Sequence, residues 1–118
     1  MSISPVYQPI GSYLCGQACL AMILNISLDS ACMIVGHRHG TTTKAVVRAL
    51  DMCGIRNSGK LIRRPKREGS KRWIVKMKYP GFSGWHWVLW WDEETYDPYP
   101  CHDDPDKWYA SSFIEIYD

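Results

Sequence analysis

The chain has 118 residues, of which 46% are hydrophobic and six are tryptophan, and its net charge is +2 at neutral pH. This composition excludes a disordered chain, and the length suits one domain, 1–118, with its own hydrophobic core. No run approaches the roughly 20 apolar residues of a membrane span, and the N-terminus lacks the features of a signal peptide. We therefore expect a cytoplasmic protein, or one delivered into a host cell, without membrane association.

The N-terminal half of the sequence predicts three helices. They lie at about 14–24, at about 28–35, and after the caps Thr41 and Thr42, with the third ending before Gly54. The first is apolar nearly all round, which indicates a buried central helix. Ser27 is the natural N-cap of the second helix, and Gly36 is its stop.

After Gly54 the periodicity changes to that of β-strands. Strands are predicted at 60–63, 71–79, 85–91 and 113–117, with turns at 80–84 and 92–94. The short run Thr95-Tyr96-Asp97 would pair with the strand before it in a hairpin. Helices followed by an antiparallel sheet make an α+β fold.

The charges are unevenly distributed. Ten of the 14 basic residues lie within 56–78, and nine of the 12 acidic residues lie within 92–118. This asymmetry is typical of a nucleic-acid or acidic-partner surface, but two solvated segments that face each other across a fold give the same pattern. We adopt the second interpretation, which argues against nucleic acid and leaves an acidic partner at 56–78 as the alternative.

The sequence has five cysteines, Cys15, Cys19, Cys32, Cys53 and Cys101. Without an export signal, they are interpreted as reduced thiols rather than as a disulfide framework. Cys19 and Cys32 lie among apolar helical residues, where buried and unreactive cysteine is the ordinary case.

Cys15 differs from the others because it lies where a turn becomes the first helix. Its thiol faces unpaired backbone N–H groups and the positive end of the helix dipole, and both favour the thiolate. The thiolate is the nucleophilic form of cysteine. We therefore expect Cys15 to be the nucleophile of a cysteine hydrolase.

Such an enzyme also needs a histidine, a group that orients it, and an oxyanion hole. His86 lies at the start of a strand just after a glycine turn, which makes it the candidate base. Asp97 lies across the predicted hairpin and is the candidate orienting group. Gln8, upstream of Cys15, has an amide that can stabilise an oxyanion beside the Cys15 backbone N–H.

These residues lie in motifs whose order is informative. The sequence contains, in order, Gln8, Cys15-Gly16-Gln17-Ala18-Cys19-Leu20-Ala21-Met22, Gly40-Thr41-Thr42-Thr43, His86-Trp87-Val88 and Asp97-Pro98. The set resembles the papain-like bacteriocin-processing cysteine peptidases, which cut double-glycine leaders, and their stand-alone relatives.

The resemblance implies a papain-like fold, with N-terminal helices packed on a C-terminal antiparallel sheet. It gives Cys15 as nucleophile, His86 as base, Asp97 as orienting residue and Gln8 as oxyanion donor. Gly16, Trp85 and Trp87, next to these residues in sequence, are the candidate substrate-binding residues.

The chain departs from the family in one motif position and in its setting. Leu14 stands where the family usually has an acidic residue. The best-known members are domains of export transporters, and because this chain has no spans, their leader-peptide substrate does not transfer to it. A protein or peptide substrate is expected, with no cofactor.

Other interpretations remain open. One is a deamidating or acyl-transferring relative, and another is an inactive papain-like module that binds a protein or nucleic acid through its basic segment. The aromatic strand 85–91 suits a base-stacking platform, although a core strand buried on both faces gives the same pattern and is preferred.

A zinc site is the remaining alternative. His37 and His39, together with Cys101-His102-Asp103, supply the residue types of a zinc site. They lack the paired, fixed spacing that such sites usually show. We therefore expect no metal.

Overall fold

The computed structural model describes residues 3–63, 71–99 and 105–117, which contain three helices and four strands. The elements are α1 (Cys15–Leu24), α2 (Leu28–Val35), α3 (Thr43–Met52), β1 (Arg72–Lys78), β2 (His86–Trp91), β3 (Glu94–Tyr96), a short 3₁₀ helix (Pro105–Lys107) and β4 (Tyr109–Glu115). All pairings are antiparallel, and the strand order is β3-β2-β1-β4. The α+β prediction is confirmed.

The helix boundaries follow from the predicted caps. The Ser27 hydroxyl accepts a hydrogen bond from the Ser30 N–H at 3.0 Å, and Gly36 ends α2 in the left-handed conformation with φ of 95°. Thr42 caps α3 by accepting from the Ala45 N–H at 3.2 Å. Side-chain caps satisfy donors that the first helical turn leaves unpaired, and glycine adopts positive φ without steric cost. The three predicted helices are therefore confirmed.

Helix α1 is the centre of the hydrophobic core. All of its residues except Leu24 are buried, and they pack with the buried side chains of α3 and with one face of the sheet. On β2, that face carries Trp87, Leu89 and Trp91. In the described part of the chain no single helix is long and apolar enough to cross a membrane. Taken together, α1 and α2 reach the required length and apolar composition, but a bend of 110° separates them.

Strand β2 is buried on both faces. Five of its six residues are buried, and on the face away from the helices Trp90 makes aromatic contacts with Trp73 and Phe113, at ring distances of 6.3 and 5.5 Å. A base-stacking platform needs exposed rings. The burial of β2 therefore supports the preferred prediction, a core strand.

The β2–β3 hairpin has a shorter turn than the sequence suggested. Trp91 pairs with Glu94, so only Asp92 and Glu93 form the turn, and their φ values are 50° and 73°. Two successive positive φ angles are characteristic of the type I′ turn, whose twist matches that of the flanking strands. The prediction of a three-residue turn at 92–94 was therefore wrong, because Asp92 and Glu93 adopt a conformation that asparagine and glycine usually supply.

Two further strand predictions need correction. Residues 60–63 do not form a strand; within the described residues they contribute a single bridge, in which Ile62 and Phe113 exchange backbone hydrogen bonds of 2.8 Å. The last strand covers Tyr109–Glu115 rather than 113–117, because its pairing with β1 begins at Lys78. Pairing with distant segments determines both the single bridge at Ile62 and the extent of β4. The local residue pattern does not encode such pairing.

We predict that Glu93→Gly increases the free energy of unfolding by roughly 0.5–1 kcal/mol, because glycine relieves the left-handed strain of the turn. The Lys71–Glu93 ion pair of 3.3 Å joins two exposed side chains, and its loss costs little. Urea denaturation measures the change. Glu94→Gly, one residue later in β3, is the control and should be destabilising. Equal effects of the two substitutions would contradict the turn assignment.

Candidate active site

Cys15 is the first residue of α1, and it lies against the start of β2. Its Sγ accepts a hydrogen bond from the Trp87 N–H at 3.4 Å. Strand β3 pairs with β2 only from Leu89 to Trp91, which leaves the first residues of β2 open to the N-terminus of α1. As the first helical residue, Cys15 has no intrahelical acceptor for its own N–H.

His86 begins β2 and is held by Asp97. The imidazole Nε2 and the Asp97 Oδ1 are 2.6 Å apart, and Asp97 Oδ1 also accepts from the Tyr99 N–H at 2.8 Å. This local bond from a backbone N–H fixes the carboxylate. His86 forms a further hydrogen bond with Cys15. Because Nε2 is engaged by Asp97, Nδ1 is the ring nitrogen left for the bond with the thiol.

The surroundings of His86 favour its charged form. Burial lowers its pKa, but the hydrogen bonds with Asp97 and Cys15 outweigh burial and raise the pKa from 6.5 to about 9. The imidazole is therefore protonated at neutral pH. Since the pKa is raised on folding, this charge stabilises the fold fully below about pH 6.5, and the contribution is lost as the pH rises through about 9.

Trp108 is a site residue that sequence reasoning missed. Its ring meets the His86 ring edge-on, at 5.9 Å, and also contacts Tyr79 at 5.4 Å. It reaches the site because β4 pairs with β1 as far as Lys78, next to Tyr79. An aromatic ring at this position limits the access of water to the imidazole. No sequence pattern signals this contact, since it depends on the pairing of distant strands.

Cys19, the other cysteine of α1, is not an alternative nucleophile. It is fully buried, and burial, followed by the charges of Cys15 and Asp97, raises the pKa of its thiol well above the usual value. A thiol in this condition stays protonated and unreactive.

Gln8 lies at the same cavity as Cys15. Its backbone N–H donates to the Pro98 carbonyl at 3.0 Å, which ties the N-terminal segment to the residue after Asp97. Its side-chain Nε2 donates to the Ser12 carbonyl at 2.8 Å and makes a longer 3.4 Å contact with Ser12 Oγ. Contact with Ser12 thus fixes the position of the amide nitrogen at the cavity. An amide held in this way can donate to a negatively charged oxygen.

Gly16 allows α1 to approach the rest of the site. A β-carbon at this position would lie 2.0 Å from Thr41 Oγ1 and 3.2 Å from the Trp87 ring. Trp87 is itself fully buried, and its Nε1 donates to the Thr41 carbonyl at 3.1 Å. Gly16 therefore acts through packing behind the cavity wall, and substrate binding by Gly16 and Trp87 stays a prediction.

A cavity of about 380 Å³ opens beside Cys15 and His86. Its walls are mainly apolar and aromatic. The described lining residues are Gln8, Ser12, Tyr13, Cys15, Gly40, Thr41, Phe82, Gly84, Trp85, His86, Trp87, Tyr99 and Trp108. The cavity thus brings together the predicted nucleophile, base, oxyanion donor and Trp85, and Asp97 lies behind His86.

The histidine pair considered for zinc has another arrangement. The His37 and His39 rings stack at 3.7 Å, and the Gln17 amide donates to both backbone carbonyls, at 3.3 and 2.9 Å. Among the described residues no group of three or more potential ligands could hold a metal ion. Residues 101–103 and the part of the basic segment at 64–70 lie outside the described residues.

We predict that Asp97→Asn lowers the pKa of His86 from its value of about 9. The amide cannot supply the negative charge that offsets burial of the imidazolium. Titration of the His86 ring resonances by NMR measures the shift, with His86→Gln to assign them. Asp29→Asn, a matched change on α2, should leave the titration unchanged. If Asp97→Asn also leaves it unchanged, the carboxylate does not set the charge of His86.

We also predict that Gly16→Ala destabilises the fold by roughly 1–3 kcal/mol, because the new methyl group overlaps the buried Thr41 side chain. Gly40→Ala is the matched control, since a β-carbon there lies 3.9 Å from its nearest neighbour. Urea denaturation compares the two variants. Equal stability of both variants would show that α1 does not approach Thr41 this closely.

No protein-family model matches the chain, and no curated protein matches it. Within the described residues the chain is an α+β domain in which three helices pack on a four-stranded antiparallel sheet.

Proposed function

We propose that this protein is a cysteine hydrolase, a papain-like peptidase that cleaves an amide bond in a protein or peptide. The observation that carries the proposal is the relay in which Asp97 binds His86 Nε2 at 2.6 Å while the other side of the same ring bonds Cys15, at the wall of an open cavity. Single residues of these types are common in proteins, whereas a cysteine, histidine and aspartate connected in series beside a cavity suit nucleophilic catalysis.

The first half-reaction forms an acyl-enzyme. The Cys15 thiolate attacks the substrate carbonyl carbon, a C–S bond forms, and the π electrons move to the oxygen. The Cys15 N–H and the Gln8 amide donate to that oxyanion. The His86 imidazolium gives its Nδ1 proton to the leaving nitrogen, and the C–N bond breaks to leave a thioester.

The second half-reaction releases the product. His86, now neutral, takes a proton from water, whose oxygen attacks the thioester carbonyl. The C–S bond breaks, the acid product leaves, and the thiolate–imidazolium pair is restored. Asp97 keeps Nδ1 directed at Cys15 and stabilises the charge that returns to the ring.

Two features support the papain-like assignment. The nucleophile starts a buried helix while the base starts a strand of an antiparallel sheet, and the cavity lies at their junction. The motif order from Gln8 to Asp97 is the second feature. Fold alone does not fix chemistry, so the site residues carry the proposal.

We predict that the wild-type protein cleaves members of a diverse synthetic peptide library and that Cys15→Ala reduces cleavage at least 1,000-fold, about the effect of losing a nucleophile. Mass spectrometry of the products in ¹⁸O-labelled water is the measurement. Hydrolysis places the label in each new carboxyl group, which transfer to an amine does not do.

The matched control is Cys53→Ala, because Cys53 is a free, half-buried thiol at the end of α3. It should retain wild-type cleavage. Identical product sets from wild type and Cys15→Ala would overturn the proposal, and so would a wild type that cleaves nothing.

A further inference from the structure

The cavity beside Cys15 has a chemical character of its own, and the inference drawn from it rests on the proposed function. Three of its aromatic side chains, Tyr13, Phe82 and Trp85, are also exposed, by 73, 55 and 37% respectively. None of the described lining residues is a lysine, arginine, aspartate or glutamate. Exposed aromatic surface beside a nucleophile favours an apolar side chain of the substrate.

A cation lies over Trp85, one of the rings that line this cavity. The Lys76 ammonium is 4.2 Å from the centre of the Trp85 ring and 5.9 Å from that of Trp87. Lys76 reaches both rings because it is the register partner of Trp87 on the adjacent strand. Contact with the ring faces holds the ammonium at a fixed place instead of leaving it free in solvent.

The charge of Lys76 is not neutralised by its described neighbours. Within residues 3–63, 71–99 and 105–117, no carboxylate forms an ion pair with Lys76. Partial burial and then the charge of Lys78 lower the pKa of the Lys76 ammonium. At the other end of β1, by contrast, Arg72 pairs with Asp92 at 3.0 Å.

We propose that Lys76 binds an acidic side chain of the substrate, so that the cleft selects a polypeptide with an aspartate or glutamate close to an apolar residue. The apolar residue contacts the exposed rings of Phe82 and Trp85, and the carboxylate meets the ammonium at the Trp85 ring. A carboxylate here pairs a positive charge that is partly desolvated and that no described residue matches with an ion pair.

Tripeptide vinyl sulfones, which alkylate an active-site cysteine, test this proposal. The probes are acetyl-Glu-Phe-Ala and acetyl-Phe-Glu-Ala vinyl sulfone, each with a version carrying Lys in place of Glu and a version carrying Ser in place of Phe. The second-order rate of Cys15 labelling is followed by mass spectrometry. We expect at least one of the two Glu- and Phe-containing probes to label Cys15 faster than both its Lys version and its Ser version. The rate relative to the Lys version should be about fivefold higher.

Variants of Lys76 assign the preference. Lys76→Met keeps most of the aliphatic contact with Trp85 and should abolish the preference for Glu over Lys, and Lys76→Arg should retain it. Lys71→Met, with the same charge change beyond the opposite end of β1, should behave as wild type. A preference for Glu that persists in Lys76→Met would overturn the assignment, as would equal rates for all probes.

Iodoacetamide, a small neutral reagent, separates this proposal from the proposed function. If iodoacetamide labels Cys15 rapidly at pH 7 while the peptide probes show no preference, only the substrate class is wrong. If Cys15 reacts with iodoacetamide no faster than Cys53, the nucleophile is wrong, and the substrate proposal fails with it.

Discussion

The contact between the N-terminus of α1 and the start of β2 is the constraint on which the rest of the site depends. It brings the Cys15 sulfur to the Trp87 N–H, 72 residues further along the chain. The absence of a side chain at Gly16 makes the approach possible, and β3 ends too early to occupy the same edge of β2. A helix and a strand that each begin at this point bring the Cys15 thiol and the His86 imidazole to one place, as the proposed mechanism requires.

Electrostatic balance explains why Asp97 belongs to this arrangement. A buried imidazolium is costly unless an opposite charge compensates it. The two-residue turn at Asp92 and Glu93 sets the register of the hairpin, and that register returns the chain so that Asp97 lies beside His86. Turn geometry at one end of the hairpin thus helps to place Asp97 beside His86 at the other.

The apolar walls around His86 strengthen this balance. Trp108 lies edge-on against the imidazole, and Tyr99 follows the aspartate that holds it. Electrostatic interactions are stronger where water is excluded. Tyr99, Trp108 and Trp85 line one cavity, and Lys76 lies over the Trp85 ring. The residues beside His86 therefore also bound the space that the proposed substrate enters.

Sequence reasoning was reliable where local chemistry decides the structure. The caps at Ser27, Gly36 and Thr42 predicted the helices, and the aromatic pattern of 85–91 predicted a core strand buried on both faces. It also selected residues that prove to be neighbours at the cavity. These were local signals, of helix starts, turns and strand starts.

Sequence reasoning was unreliable where pairing between distant segments decides the structure. The extent of β4, the single bridge at Ile62 and the position of Trp108 all depend on partners far along the chain. The prediction of the hairpin turn was wrong for another reason: Asp92 and Glu93 adopt positive φ angles, which their residue types disfavour.

The most direct test of the central claim, that Cys15 and His86 form a thiolate–imidazolium pair, is the pH dependence of Cys15 alkylation by iodoacetamide in wild type and in His86→Ala. The pair predicts that wild-type Cys15 reacts rapidly near pH 6, where an unperturbed thiol, with a pKa of about 8.5, is almost fully protonated. In His86→Ala the reaction should move to the alkaline profile of an ordinary thiol. Coincident profiles for the two proteins would contradict the pair and, with it, the proposed enzyme.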